Sequence, residues 1–228
     1  PATDTFCAVP NTQVLSNDPL PCDGVTVSEH EVTVGDVTTQ YLAIRPSSGG
    51  TDSVVLALHY LGADTGRFSN VVRLSELAKA RKVLVIAPQA PGLVQRWPSS
   101  PTIGEDVDSA VALLRGVLSD AKSRFSAGSD PVYALGLSNG AVMAYLFACR
   151  ATDQVKSVLT VAGELGSAAL DSCTPSRAIG TVIVHGSADT LTPYYGITSL
   201  YPPVPTIHAT FKQFNGCTGT DSQVTLPN

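Results

Sequence analysis

Apolar residues in this chain gather in short blocks with two different periods. Ser53-Val-Val-Leu-Ala-Leu58 and Val83-Leu-Val-Ile-Ala87 are nearly continuous apolar runs, the pattern of strands covered on both faces of a parallel sheet. Pro131–Leu137, Ser157–Ala162 and Thr181–Val184 read the same way, whereas Val37–Ile44 alternates and predicts a strand with one exposed face. Between these blocks the spacing changes to three and four. Val71, Leu74, Leu77 and Ala78 make one helical stripe. Val107, Val111, Leu114, Leu118, Ala121 and Phe125 make a longer one, opened by Asp106 and Asp108 on the favourable side of the helix dipole. Ile207, Phe211 and Phe214 mark the buried side of a last helix that ends near Asn215. Strands alternating with helices predict an α/β fold with a mostly parallel central sheet and helices on both faces. No internal repeat, low-complexity tract or linker divides the chain. Residues 1–228 are therefore expected to form one domain, with 1–36 an irregular N-terminal segment.

Composition narrows the function classes. The chain has 228 residues, 43% of them hydrophobic and 14% charged, enough for one substantial core and unlike a disordered segment. A net charge of −5 argues against a nucleic-acid partner, because phosphate binding needs a basic face. No apolar run reaches the roughly 18–20 residues of a membrane span, so a soluble protein without a membrane partner is expected.

The five cysteines, at positions 7, 22, 149, 173 and 217, form no C-x-x-C pair and have no histidine at zinc spacing, so neither a metal nor another cofactor is expected. Disulfides in an exported protein are the favoured reading. Cys7 with Cys22 would close a short N-terminal loop, and Cys149 with Cys173 would tie down the stretch before the next strand. Cys217 is then left without a partner.

One local motif carries chemistry. Gly136-Leu-Ser-Asn-Gly140 follows a predicted buried strand and precedes a predicted helix from Ala141 to about Arg150. That strand–turn–helix setting is the one in which a serine is presented as a nucleophile. Ser138 is the candidate nucleophile, and the N–H of Asn139 at the helix start a candidate oxyanion donor. A second donor would come from the turn after the strand ending at Leu58, from Tyr60 or Leu61. His59 in that segment is expected to pin the loop rather than act as base, because in this architecture the order runs serine, acid, histidine. Asp189, in the loop after the Thr181–Val184 strand, is the candidate acid. His185 is expected to brace that loop, and Asp171 and Asp153 to be surface acids.

"GLSNGAVMAYLFAC", "HGSADTLTPYYG" and "FNGC", taken in order, resemble the secreted polyhydroxybutyrate depolymerase, feruloyl esterase and acetylxylan esterase family. The resemblance runs from about Tyr41 to the C-terminus. It implies an α/β-hydrolase fold, a Ser–Asp–His triad, no metal, and export. By position it assigns Ser138 as nucleophile, Asn139 as oxyanion donor and Asp189 as acid. Trp97 falls where the family often has an aromatic near the substrate, and His59 and Trp97 are weak candidates for substrate contact. Two departures stand out. Tyr60 occupies a position where glycine is common, and the family's histidine follows the Asn-Gly-Cys segment, whereas the last histidine here is His208. The base is thus expected beyond Asn228, together with a last strand and a partner for Cys217. The expected substrate is a neutral polyester or an aryl or acetyl ester on a polymer.

Overall fold

The computed structural model describes residues 6–7, 20–99 and 105–220, with side chains from residue 22 onward. Two short strands, β1 (Phe6–Cys7) and β2 (Leu20–Pro21), pair antiparallel as a separate ribbon. Seven more make the central sheet: β3 (Val25–Val34), β4 (Val37–Pro46), β5 (Ser53–Leu58), β6 (Val83–Pro88), β7 (Val132–Leu137), β8 (Val155–Val161) and β9 (Gly180–Val184). Their order is β3-β4-β6-β5-β7-β8-β9. The β3–β4 and β4–β6 pairs are antiparallel and every other pair is parallel. The helices are α1 (Thr65–Val71), α2 (Leu74–Arg81), α3 (Val107–Arg124), α4 (Asn139–Arg150), α5 (Ser167–Asp171) and α6 (Val204–Phe214).

Strand alternation explains how one sheet holds two cores. Tyr41, Ala43, Leu56, Leu84 and Ile86 point to the side where Leu114, Met143 and Phe211 pack from α3, α4 and α6. Their neighbours Leu42, Ile44, Val55, Val83 and Val85 point the other way, against Phe68, Leu74 and Ala78 of α1 and α2. The continuous apolar runs of β5 and β6 are what a two-sided burial requires. Asp106 caps α3 by accepting the N–H of Ser109 at 2.8 Å, and Asp108 sits in its first turn.

Three expectations need correction. Residues 1–36 are not all irregular, since β3 occupies ten of them and forms a two-residue hairpin with β4 through Gly35 at φ 58°. Its apolar alternation, Val25 and Val27 then Val32 and Val34, changes phase across Ser28-Glu-His-Glu31, which hides the strand. The stripe from Val71 to Ala78 is split between two helices. Asp64 caps α1, accepting the N–H of Arg67 at 2.7 Å, and Arg73, in left-handed conformation at φ 55°, breaks the path before α2. Val71 is exposed as a result. Thr181–Val184 reads as buried on both faces, yet β9 is the edge of the described sheet, with Val182 55% exposed and Val184 50% exposed.

The expected Cys149–Cys173 disulfide is present, with Cα atoms 5.0 Å apart, joining the end of α4 to the segment after α5. Cys22 is also disulfide-bonded. The side chain of its expected partner, Cys7, lies outside the described residues. Cys217 is an exposed free thiol.

Candidate active site

The central strands β5, β7 and β8 run parallel and end at one edge of the sheet, where a sharp turn joins β7 to α4. Ser138 occupies that turn at φ 54°, ψ −119°, a conformation that costs a side-chain-bearing residue roughly 1–3 kcal/mol. Its surroundings hold it there. The Ser138 N–H donates to the carbonyl of Val161 on β8 at 2.8 Å, and its carbonyl accepts the N–H groups of Ala141 at 2.8 Å and Val142 at 3.2 Å. Three glycines leave the space this needs. A Cβ on Gly136 would overlap the Gly140 carbonyl group, and one on Gly140 would overlap the carbonyls of Leu58 and His59. A Cβ on Gly163, just past β8, would press on the carbonyl of Ser138 and the Ala141 methyl. The two motif glycines thus permit close packing of the turn against the end of β5. Gly163 serves the same turn from outside the motif.

The candidate oxyanion donors are backbone N–H groups at the start of α4 and in the turn after β5. Asn139 opens α4 and its amide side chain is fixed on Trp97, accepting the Trp97 N–H at 2.8 Å and donating to the Trp97 carbonyl at 2.9 Å. After β5 the chain turns through Gly62 at φ 71°, whose N–H donates to the Gln95 carbonyl at 3.1 Å, while the Ala63 N–H donates to Tyr60. Among the described residues, no backbone carbonyl outside the regular helices and strands accepts the N–H of Tyr60, Leu61 or Asn139. Leu61 is half exposed.

His59 and Trp97 do not offer surface to a substrate, which corrects that expectation. Both are fully buried. Nδ1 of His59 donates to the Tyr60 carbonyl at 2.8 Å, and Nε2 accepts the Ala90 N–H at 2.9 Å. Burial pushes its pKa down to about 4, against the smaller opposing effects of the Tyr60 carbonyl and Asp64. The ring is a neutral strut with both nitrogens engaged. Trp97 Nε1–H donates to the His59 carbonyl at 3.1 Å and the two rings pack 5.3 Å apart, so together they support the turn after β5.

Asp189 lies in the loop after β9, the second strand over from β7 in the sheet. Oδ1 of Asp189 accepts the N–H groups of Leu191 and Thr192, each at 2.9 Å, and Oδ2 accepts the Thr192 hydroxyl at 3.0 Å. These donors, the Thr192 N–H first, hold the carboxyl below the usual carboxylate range.

None of the four histidines is hydrogen-bonded to Ser138. His30 lies on β3, accepting from or donating to Ser28 and packed between Tyr41 and Phe125. His208 is exposed on α6 and shares a groove with Thr181, at the start of β9, and with Cys217. His185 is turned toward Thr192, its Nε2 2.6 Å from that carbonyl and 3.9 Å from Asp189 Oδ2. It braces the acid loop, as the sequence suggests.

Glu164 escapes the sequence reading. It follows Gly163 at the end of β8 and is buried, and Oε1 has no hydrogen-bond partner among the described residues. Its carboxyl is pushed up by burial, with His185 and Asp189 acting on it in opposite directions. The available signal was a single acid placed among small residues just past a buried strand. Among the described residues no three His, Cys, Asp or Glu side chains are placed to hold a metal ion.

No family model matches the chain. It is 27% identical to the esterase-like protein NocK of Nocardia uniformis subsp. tsuyamanensis, over 98% of this chain and 69% of NocK. Among solved structures it resembles esterase PE8, with a TM-score of 0.58 and 19% identity over 75% of this chain and 82% of that one. It also resembles a cold-adapted esterase from an Arctic intertidal metagenomic library, with a TM-score of 0.52 and 14% identity over 84% and 95% of the two chains. The fold is that of the α/β-hydrolases. Ser138 lies in the turn between β7 and α4, and Asp189 follows it in the chain, in the loop after β9.

Proposed function

We propose that this protein is a serine hydrolase of carboxylic esters, with Ser138 as nucleophile and Asp189 as the acid that orients the base. The observation that carries the reading is the conformation of Ser138, held at φ 54° at the N-terminus of α4. Three glycines around it could not be alanine without overlap. A turn with no catalytic task has no need of such strain. Attack of Ser138 Oγ on the ester carbonyl forms a tetrahedral oxyanion facing the N–H groups of Asn139 and of Tyr60 or Leu61. Collapse releases the alcohol and leaves an acyl-serine, which water then hydrolyses. The esterase-like relative NocK supports ester rather than amide substrates.

The finer reading is of an exported enzyme acting on a polymer or a polymer-linked acyl group, of the polyhydroxyalkanoate depolymerase or feruloyl or acetylxylan esterase kind. The Cys149–Cys173 disulfide supports export, since such bonds persist in oxidising compartments. A second reading, a hydrolase-fold binding protein without turnover, is favoured by one observation: none of the four histidines reaches Ser138 as base.

Both readings are tested by hydrolysis of short-chain, hydroxycinnamoyl and polyester substrates with imidazole added as base, each compared with Ser138→Ala. Imidazole-dependent hydrolysis that Ser138→Ala abolishes supports the esterase. Equal rates for both proteins favour the binding protein.

A further inference from the structure

We propose that Glu164 and His185 form a buried one-proton pair that holds the acid loop, making Glu164 a positioning residue for Asp189. The inference rests on the reading of Asp189 as the acid. The His185 side chain is only 1% exposed. Its Nε2 lies 2.6 Å from the Thr192 carbonyl, which can only accept, so Nε2 carries a proton. Thr192 in turn gives both its N–H and its hydroxyl to Asp189. His185 therefore fixes Asp189 through Thr192, because its own 3.9 Å approach to Oδ2 is too long for a hydrogen bond.

The opposite nitrogen of this ring, Nδ1, is buried without a partner among the described residues, and so is Oε1 of Glu164. Two such orphaned atoms at one place are unusual, since buried polar groups are nearly always satisfied. The sheet brings them together. Val161 lies opposite Val184, and the Ala162 N–H donates to the Val184 carbonyl at 2.9 Å. The Thr192 hydroxyl adds a 3.4 Å contact to the Ala162 carbonyl. Glu164 lies three positions past Val161 at the end of β8, and His185 directly follows Val184 at the end of β9.

One proton satisfies both atoms. On Glu164 it is donated to the Nδ1 lone pair, and on Nδ1 it is donated to the carboxylate. The pair is electrically neutral in either state. Contact requires a side-chain rotation or one bridging buried water. The other titratable groups facing Glu164 are Asp189 and, from α4, Tyr145, whose hydroxyl is already paired with Thr160 at 2.8 Å. Thr160 is the donor in that bond, and neither the Tyr145 hydroxyl nor Asp189 lies within hydrogen-bond reach of Oε1. The raised Glu164 carboxyl fits a shared proton.

The test is nuclear magnetic resonance of protein labelled at histidine ring nitrogens and aspartate carboxyl carbons, comparing wild type, Glu164→Gln and Glu164→Leu. In the wild type the proposal predicts a hydrogen-bonded Nδ1 on His185. Glu164→Gln, whose amide can still donate, keeps that signature. Glu164→Leu loses it and raises the proton affinity of Asp189 by a few-fold or more as the loop loosens. A folded Glu164→Leu protein with both signals unmoved would overturn the proposal, and so would a folded Glu164→Gln protein that loses the Nδ1 signature. Should Glu164→Leu fail to fold, the Gln variant alone decides. No readout depends on turnover and Ser138→Ala should leave all of them unchanged, so the pair stands or falls separately from the esterase reading.

Discussion

Asn139 and Trp97 exchange two hydrogen bonds, the Trp97 N–H donating to Oδ1 and Nδ2 donating to the Trp97 carbonyl, at 2.8 and 2.9 Å. The pair ties the first helical residue after Ser138 to the loop that follows β6. Trp97 continues the tie to the end of β5 through the His59 carbonyl. The start of α4 and the turn after β5 are thereby fixed on one frame.

Replacing Asn139 by Asp keeps the shape but removes the donor to the Trp97 carbonyl and sets two oxygens against each other. One lost hydrogen bond and an unsatisfied carbonyl predict a loss of about 1–3 kcal/mol, read as a lower urea midpoint with an unchanged slope. An unchanged midpoint would mean that the clamp is not a structural tie.

Gly163→Ala places a methyl group against the Ser138 carbonyl and the Ala141 side chain. Overpacking of this kind costs about 1–3 kcal/mol, and here the turn carrying Ser138 is the part displaced. The expected result is a folded but less stable protein whose Ser138 reacts more slowly with an organophosphonate. Wild-type stability and reactivity in Gly163→Ala would show that the turn has spare room.

Breaking the Cys149–Cys173 disulfide by changing both residues to alanine frees a loop of 24 residues' separation. The expected loss is about 3 kcal/mol, mainly from a less constrained unfolded chain. Denaturant unfolding of the double variant against wild type measures it, and a difference near zero would contradict the assignment.

His59 sets a pH dependence. Its pKa falls from an unfolded value of about 6.5 to about 4 in the folded protein. The unfolded state therefore binds the extra proton between these values. The contribution is whole above pH 6.5 and is lost as pH falls toward 4, amounting to roughly 3 kcal/mol. Unfolding free energies measured from pH 4 to 8 should show this slope in wild type and a shallower one in His59→Gln. Equal slopes in the two proteins would place the titration elsewhere.

The parts of this structure that were legible in the sequence are those whose cause is local. Ser138 and the elbow follow from a five-residue pattern between a buried strand and a helix, and Asp189 follows from its place after the next strand but one. The apolar runs of β5 and β6 state their own double burial. What was hidden depends on contacts between distant segments. β3 is a strand because β4 folds back on it, although its own alternation breaks at Ser28–Glu31. The roles of His59 and Trp97 as buried struts emerge only when the loops after β5 and β6 meet under Asn139. Glu164 gains meaning only from the β8–β9 register that sets it beside His185. The exposure of Val182 and Val184 likewise follows from strand order, which a hydrophobic run does not encode.

The central claim is that Ser138 is a nucleophile, and covalent labelling tests it most directly. The protein is incubated with a fluorophosphonate, with and without added imidazole, and the adduct is located by peptide mass mapping. The account predicts a single adduct per chain on Ser138, formed faster with imidazole and absent from Ser138→Ala. A lack of adduct even with imidazole present, or equal labelling of Ser138→Ala, would contradict it.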